Sequence, residues 1–305
     1  MPNILIDPSN ERKIADFRPL EFRDVMVLGR YSYAYAHDPL EEHTHGNMFE
    51  ICYLDEGSQP YISEDKEYCL KGGDVFVSLP REVHGSGPSP LGRGRLYWML
   101  IRVPSTRERF LNLTPSEGRQ LVEGLLGIQY RQFRGRRLLK YYLENIFRAY
   151  DEPDTPLRTA ELKNWMLRFL LDVLSDAMHY KETRVSSPIT TVQEFIDEHL
   201  FEEPLALEAL AAMVNLSLSR FKTRFKNEVG VAPGGYIIMR KVEKAKELLG
   251  ERDRSITDIA FDLGFSSSQY FATAFKRYTG TTPRQFRAGS DIIMCEKEKP
   301  TRTGD

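Results

Sequence analysis

A set of aromatic, lysine, glycine and proline residues occurs twice near the C-terminus, each displaced by 50 residues (271 − 221 = 50). A repeat of this length indicates one supersecondary unit used twice. Solenoids need about three or more copies to bury a core, so two copies favour a pair of units over a solenoid. The copies are Phe221, Phe225, Lys226, Gly230, Pro233 and Tyr236, and Phe271, Phe275, Lys276, Gly280, Pro283 and Phe286.

Each copy predicts a short helix, a turn and a second helix. Apolar residues spaced i, i+3, i+4 and i+7 begin at Leu207 in the first copy and at Ile256 in the second, which is typical of one buried helical face. Ser217 and Ser267 stand where N-caps of the second helices are expected, because a serine oxygen can accept from a free amide. The repeated glycines are predicted to end these helices.

The second helix of each copy has the residue types of a DNA-reading helix. With its phenylalanines facing inward, the opposite face carries small, polar and basic side chains, and it is narrow enough for a major groove about 12 Å wide. The candidate DNA-binding residues are Ser219, Arg220, Lys222, Thr223 and Lys226 in the first copy, and Ser268, Gln269, Ala272 and Thr273 in the second.

The segment between the copies predicts a long helix. Apolar residues at spacings of four, three and four from Ile238 indicate a helix over 235–249. Lys241, Lys244 and Lys246 are expected to point outward from it. At 1.5 Å per residue its length is roughly 22 Å, which would let it hold two reading helices about one DNA turn, roughly 34 Å, apart.

Residues 187–290 closely resemble the AraC-type DNA-binding domain, two helix-turn-helix units joined by a long helix. The resemblance implies a sequence-specific transcriptional regulator that binds double-stranded operator DNA and, as an activator, RNA polymerase. It also implies that Ser219, Lys222, Thr223, Gln269, Ala272 and Thr273 face the bases. The residues that carry it include Ala211, Phe225-Lys226, Gly230, Pro233, Ala245, Leu248-Leu249, Ile259-Ala260, Gly264-Phe265, Tyr270-Phe271, Gly280 and Pro283-Arg284-Gln285-Phe286-Arg287.

Composition limits the other classes of function. A net charge of −2 and a pI near 6.4 argue against general coating of nucleic acid, so attraction to phosphate must come from local basic clusters. The sequence shows no signal-peptide pattern and no apolar run long enough to cross a membrane. Cys52, Cys69 and Cys295 fit a reducing compartment. We therefore expect a cytoplasmic bacterial protein that joins the nucleoid when bound to DNA.

The N-terminal third predicts short strands. They lie near 25–28, 49–54, 59–63, 67–70, 74–79 and 95–103, with turns at 55–57, 63–65 and 71–73. Tyr31, Tyr33 and Tyr35 alternate, which predicts one shared face of a strand. Short strands without intervening helices indicate a β-sandwich or barrel.

Polar residues within these strands form a recognisable pattern. His43 and His45 are followed by Glu50, and His84 comes later. This pattern resembles the cupin signature, in which the three histidines and the glutamate converge inside a small jelly roll. Alternate residues of a strand share a face, and imidazoles with one carboxylate suit iron, manganese, nickel or zinc.

The role of this group stays open on sequence alone. It can form a divalent metal site, line a small-molecule pocket that requires no cofactor, or serve the fold only. A barrel mouth is the usual place for a ligand, and in this kind of regulator the resemblance implies an effector, with sugars as its common class. The candidate effector-binding residues are His43, His45, Glu50, His84, Tyr33 and Trp98, with Tyr31, Tyr35 and Arg102 as further candidates.

Residues 113–182 change to the helical period. Helices are predicted from Pro115, over 136–150 and over 157–180. The resemblance implies that the last of these forms homodimers, whereas the alternative is a helix that packs on its own barrel. Its predicted apolar stripe consists of Leu167, Leu170, Leu171, Leu174 and Met178.

These features predict a multi-domain α and β protein and not an enzyme. A cupin-like jelly roll with helices precedes an all-α domain with two helix-turn-helix units, and together they predict a DNA-binding regulator, an activator, controlled by an effector. The rival hypothesis is a metal-dependent cupin enzyme with an accessory DNA-binding domain. The predicted segments are an effector-binding domain at 1–112, a helical dimerisation region at 113–182, a linker at 183–188, a DNA-binding domain at 189–290 and a tail at 291–305.

Overall fold

The computed structural model describes residues 11–20, 24–105, 108–152, 155–180, 188–201, 205–251 and 253–288. The chain divides into two compact units, with residues 38–184 in the first and 185–305 in the second; residues 1–33 join the first and 34–37 the second. The predicted tail and the predicted linker, apart from Pro188, lie outside the described residues, as does Cys295. The domain boundaries stay predictions.

The N-terminal unit is built on antiparallel strands. They pair in the order β1-β2-β7-β3-β5-β8, and β4 and β6 also pair with β3. A 3-10 turn at Arg18–Leu20 follows the first strand. The strands are β1 (Arg12–Asp16), β2 (Val25–Tyr33), β3 (Met48–Ser63), β4 (Lys66–Lys71), β5 (Asp74–Ser78), β6 (His84–Gly85), β7 (Gly94–Arg102) and β8 (Gln132–Arg134).

The predicted turn at 55–57 is wrong, because β3 runs through it as one strand of 16 residues. A bulge between Leu54 and Glu56 bends the strand, and Gly57 follows with φ +105°. An added Cβ on Gly57 would lie 2.3 Å from the Arg93 carbonyl oxygen. Before the bulge β3 pairs with β5 and β7; after it β3 keeps its pairing with β7 to Gly57 and then pairs with β4 and β6.

The bulge also changes which residues of β3 face the interior. A one-residue irregularity shifts the two-residue alternation of side chains. Glu50 and Cys52 therefore share the interior with Gln59 and Tyr61. The Cys52 sulfur lies 3.4 Å from the Tyr61 hydroxyl, which brings the two halves of β3 into contact across that interior.

Three helices cover the other face of the sheet. They are α1 (Pro115–Leu126), α2 (Leu138–Asp151) and α3 (Arg158–His179). Ile51 and Tyr53 of β3 pack with Phe147 of α2 and Phe169 of α3 in one buried cluster. The sheet thus has one face against helices and one face toward the candidate effector residues.

The predicted stripe of α3 mixes two faces of the helix. Leu170 is fully buried with Phe169 and Val173 in the core of the unit. Leu171 and Met178 point elsewhere and are 42% and 74% exposed. Because a helix turns by about 100° per residue, adjacent leucines cannot share a face.

The C-terminal unit is helical. Its helices are α4 (Pro188–Glu198), α5 (Leu207–Met213), α6 (Leu218–Val229), α7 (Pro233–Leu249), α8 (Ile256–Asp262) and α9 (Ser268–Thr279), and residues 283–288 are also helical. The pairs α5–α6 and α8–α9 are the two predicted helix-turn-helix units. Within the described part of the chain, no helix is long and apolar enough to cross a membrane.

Candidate DNA-reading surface and effector site

The turn of the first helix-turn-helix unit closes by backbone hydrogen bonds. Asn215 has φ +53°, and its amide donates to the Ala212 carbonyl at 3.0 Å. The amide of Leu216 donates to the Ala211 carbonyl at 3.0 Å. This is the Schellman pattern, which satisfies the free carbonyls at a helix end. The Ser217 side chain then accepts from the amide of Arg220, so the predicted N-cap is confirmed.

The second unit repeats this geometry. Gly264 has φ +63°, its amide donates to the Phe261 carbonyl at 2.8 Å, and that of Phe265 donates to the Ala260 carbonyl at 3.0 Å. Ser267 caps α9 by accepting from the Tyr270 amide.

The second turn is one residue longer than the first. Gly264 lies 49 residues after Asn215, whereas Ser267 lies 50 residues after Ser217 (264 − 215 = 49; 267 − 217 = 50).

The predicted reading faces point away from the core. In each reading helix the two phenylalanines are fully buried, and the helices end at Gly230 and Gly280, whose φ values are +85° and +80°. The Thr273 hydroxyl donates to the Gln269 carbonyl at 2.9 Å. Exposed candidates are Ser219, Arg220, Lys222, Thr223, Lys226, Gln269 and Thr273, while Ser268 and Ala272 are partly buried.

Helix α7 connects the two helix-turn-helix units, as predicted, but Lys241 does not point outward. This lysine is only 8% exposed, and its Nζ donates to the Gly264 carbonyl at 3.4 Å. The prediction that Lys241 points outward rested on the spacing within α7 alone. In the structure, the second helix-turn-helix unit packs over Lys241. Lys244 and Lys246 are partly exposed.

Four residues of the N-terminal unit form a compact polar group, the His/Glu cluster of His43, His45, Glu50 and His84. One potential ligand atom from each residue lies within 4.8 Å of all the others. His84 Nε2 lies 2.9 Å from Glu50 Oε2, and His45 Nε2 lies 3.6 Å from the same oxygen. The structure thus brings together the residues that the cupin-like pattern predicted.

Backbone carbonyls orient two of the rings. His43 Nδ1 lies 2.8 Å from the Glu41 carbonyl oxygen, and His84 Nδ1 lies 3.0 Å from that of Glu82. Each Nδ1 therefore donates a proton, and each Nε2 is turned into the cluster. Glu82 is held in turn by Arg131, whose Nε donates to the Glu82 carboxylate at 3.0 Å. A carbonyl group that accepts from Nδ1 fixes both the tautomer and the ring orientation of a histidine.

Burial and charge shift the titration of the cluster. Burial lowers the pKa of His43. Burial would also lower the pKa of His84, but its hydrogen bond to Glu50 raises it above the usual value. Burial would raise the pKa of Glu50, yet the neighbouring His45 and His84 hold that pKa well below its ordinary value. Both shifts have the sign expected when an imidazolium at His84 faces a carboxylate at Glu50.

Buried polar atoms beside the cluster escaped the sequence analysis. Ser78 lies opposite Glu50 between β3 and β5, and Ser63 lies opposite His84 between β3 and β6. The two serine hydroxyls and His45 Nε2 are buried without a hydrogen-bond partner. The available signal was a serine at the end of each of two strands, but the bulge hid that Ser63 faces the interior.

The aromatic candidates form an apolar cluster around the same interior. Tyr33 stacks on Tyr31 with ring centroids 4.3 Å apart, and both belong to a cluster against which Trp98 packs. Tyr35 was predicted to share their face, but β2 ends at Tyr33 and Tyr35 is 59% exposed. β2 ends there because its partner β7 begins at Gly94.

Two further features bear on this interior. Arg102 was also predicted to reach it, but its guanidinium pairs with Glu108 at 2.9 Å. The Trp98 indole lies across Gly29, where an added Cβ would be 2.1 Å from the ring.

Comparisons with known proteins agree with this division of the chain. Residues 210–289 match a helix-turn-helix domain, and residues 27–170 match an AraC-like ligand binding domain. The HTH-type transcriptional activator RhaS of Salmonella schwarzengrund is 30% identical over 258 residues, 83% of this chain and 89% of that protein. RhaS of Klebsiella pneumoniae gives the same identity and coverage.

Among solved structures, the DNA-binding domain of AdpA in complex with a target DNA is 32% identical, over 36% of this chain and 99% of that one, with a TM-score of 0.34. The relatives above are transcriptional regulators, which does not support the rival enzyme hypothesis. The chain belongs to the AraC family of transcriptional regulators, joining an AraC-like ligand-binding domain to a helix-turn-helix DNA-binding domain.

Proposed function

We propose that the protein is a cytoplasmic transcriptional activator that binds a small hydroxylated effector, a sugar or sugar acid, between the His/Glu cluster and the aromatic cluster. The observation that carries the effector proposal is the set of buried atoms without partners beside Glu50: the hydroxyls of Ser63 and Ser78 and Nε2 of His45. Each buried, unpaired polar atom costs about 1–3 kcal/mol. Ligand hydroxyls can donate and accept, so they can satisfy all three.

The related activators named RhaS support activation, and with it contact to RNA polymerase. Helices α6 and α9 would read operator DNA through their exposed faces. The effector changes operator binding only if it binds two arrangements of the regulator with different affinity.

A thermal-shift screen of the full chain against sugars and sugar acids tests the effector proposal, because a ligand of the folded state raises its melting temperature. We expect a hit whose shift is reduced in Ser78→Ala and which changes the affinity of the full chain for promoter DNA. A hit that shifts wild type and Ser78→Ala equally would place the effector elsewhere.

A homodimer is part of the proposal. Leu167, Leu171, Leu174 and Met178 of α3 follow each other at spacings of four, three and four, the alternation of three and four that is typical of a coiled-coil seam. Leu171 and Met178 are exposed, and Leu167 and Leu174 are partly buried. Leu170, in the predicted stripe, belongs to the core instead.

A divalent metal ion in the His/Glu cluster is a second candidate for the ligand. The donor set fits a metal ion, because the Nδ1–H groups of His43 and His84 both donate to carbonyl groups. Nε2 of each ring is then left to bind a metal, once His84 has lost the proton on its Nε2. His45 Nε2 is buried without a hydrogen-bond partner, and Glu50 would supply an oxygen.

Elemental analysis of protein purified without chelator tests the metal candidate. We expect a stoichiometric transition metal in the wild type and its loss in His43→Ala. The outcome against it is wild-type protein that contains no metal and whose melting temperature Zn²⁺, Ni²⁺ and Mn²⁺ leave unchanged.

A further inference from the structure

Lys241 is a buried cation at the centre of the DNA-binding domain. Its residue is 8% exposed. Its Nζ has the Gly264 carbonyl oxygen as a hydrogen-bond acceptor at 3.4 Å and lies 5.7 Å from the centre of the Phe265 ring. Among the residues that the structure describes, no carboxylate forms an ion pair with it. Burial lowers the pKa of Lys241, which shows that the fold holds this charge at a cost.

The position of Lys241 explains why such a cost is retained. Gly264 lies in the turn between α8 and α9, and its amide and that of Phe265 already close the end of α8. The Gly264 carbonyl remains, and the lysine of α7 donates to it. A side chain of the connecting helix therefore holds the turn from which the second reading helix starts.

Two other contacts attach the second helix-turn-helix unit and the residues after it to α7. The Tyr278 hydroxyl donates to the Gly235 carbonyl at 3.2 Å near the start of α7. Arg287 Nε donates to the Leu249 carbonyl at 3.2 Å at its end. Lys241 lies between Gly235 and Leu249 on α7. This part of the chain is therefore attached at three positions along that helix. Helix α4 meets α7 through Arg240, whose Nε donates to Asp197 of α4 at 2.7 Å.

We propose that Lys241 is a positioning residue that fixes the orientation of α9 on α7 and so sets the placement of α9 relative to α6 along the DNA. The inference rests on the proposed reading faces of these two helices. Lys241 need not touch DNA; it acts through the turn that it holds.

Methionine at position 241 separates this role from a role in stability. It keeps the unbranched length of the side chain, removes the buried charge and leaves the Gly264 carbonyl without its donor. An unpaired buried charge is costly, and an apolar side chain of similar size removes that cost. We therefore expect Lys241→Met to melt no lower than the wild type while binding a selected operator about tenfold more weakly, the effect of one lost hydrogen bond at the reading geometry.

The experiment uses the full chain and a duplex that the wild type selects from a random pool. Affinity is measured by fluorescence anisotropy, and the contacts of α6 and α9 are separated by hydroxyl-radical footprinting. We expect Lys241→Met to lose protection in one of two neighbouring segments and to keep the other, and Lys241→Arg, which keeps a donor, to restore both. Lys244→Met, on the same helix, is the matched control and should bind as the wild type does.

Two results would overturn the inference. One is a Lys241→Met variant with wild-type affinity and protection of both segments. The other is a lower melting temperature with equal loss of both segments, which would make Lys241 a stabilising residue only. If the wild type itself selects no sequence, the proposed reading faces fail together with this inference, and that outcome is visible before any variant is made.

Discussion

Nε2 of His84 lies 2.9 Å from Oε2 of Glu50, while Nδ1 of the same ring lies 3.0 Å from the Glu82 carbonyl oxygen. Both ring nitrogens therefore face acceptors. Two acceptors favour the doubly protonated imidazolium, which accounts for the raised pKa of His84 and the lowered pKa of Glu50.

This pair predicts a pH dependence of stability. The raised pKa of His84 stabilises the fold below its unperturbed value of 6.5, and the gain is lost as pH rises through the raised pKa. The lowered pKa of Glu50 stabilises the fold above 4.5, and the gain is lost as pH falls through the lowered pKa. The pair therefore contributes most between pH 4.5 and pH 6.5 and less as pH rises through the raised pKa of His84.

Glu50→Gln tests this dependence in the presence of chelator. We expect the difference in melting temperature between wild type and variant to be larger at pH 6 than at pH 8, because the stabilisation by His84 is lost as pH rises through its raised pKa. His43 has a lowered pKa and the opposite pH dependence, but it is present in both proteins, so its effect largely cancels. A difference that is constant over this range would contradict the charged pair.

The reading faces predict which residues of α6 and α9 carry affinity for operator DNA. Gln269 can pair with adenine, and Lys222 with guanine or a phosphate. Alanine at either position should weaken operator binding by about 1–3 kcal/mol when the contact reads a base. Anisotropy titrations against the selected duplex measure this, with Lys244→Ala as the lysine control. Wild-type affinity in both variants would remove these residues from the interface.

The exposed seam of α3 predicts how the dimer can be broken. A glutamate at Leu171 would bury a charge at the interface, so Leu171→Glu should weaken dimerisation by about tenfold or more. Analytical ultracentrifugation measures the change. Leu138→Glu is the matched control, because Leu138 is 44% exposed and Leu171 42%, yet Leu138 lies on α2. Equal dimerisation of both variants and the wild type would exclude this seam.

Gly29 predicts a tight constraint on the wall of the effector site. An alanine Cβ there would lie 2.1 Å from the Trp98 ring, so the indole must move, and overpacking costs about 1–3 kcal/mol. We expect Gly29→Ala to lower the melting temperature and, in a Trp165→Phe background, to shift the emission of Trp98. Gly234→Ala is the control, because nothing lies within 4 Å of its added Cβ. An unchanged spectrum would show that the ring lies elsewhere.

Local patterns made the DNA-binding half predictable. The buried phenylalanines, the caps at Ser217 and Ser267 and the glycine ends follow from residues within one or two helical turns. Lys241 was the exception, since its side chain contacts Gly264 in the turn between α8 and α9. Helical periodicity alone cannot report such a contact.

The N-terminal half was predictable only in part. The His/Glu cluster assembled as expected, and most strands lie where they were predicted. The bulge after Leu54 was not foreseen, because Asp55-Glu56-Gly57 has the residue types of a turn. Since that irregularity reverses the alternation of β3, Ser63 and Gln59 could not be assigned to the interior from the sequence.

The unequal turns of the two helix-turn-helix units have a consequence for promoters. α6 and α9 carry different side chains, and Ser267 follows a turn that is one residue longer. On the proposed reading faces, a single chain should therefore recognise two unlike DNA segments in a fixed order, so that the bound protein has a front and a back. Inverting a recognition element should turn the molecule to face upstream, and transcription should depend on the direction in which that element is written.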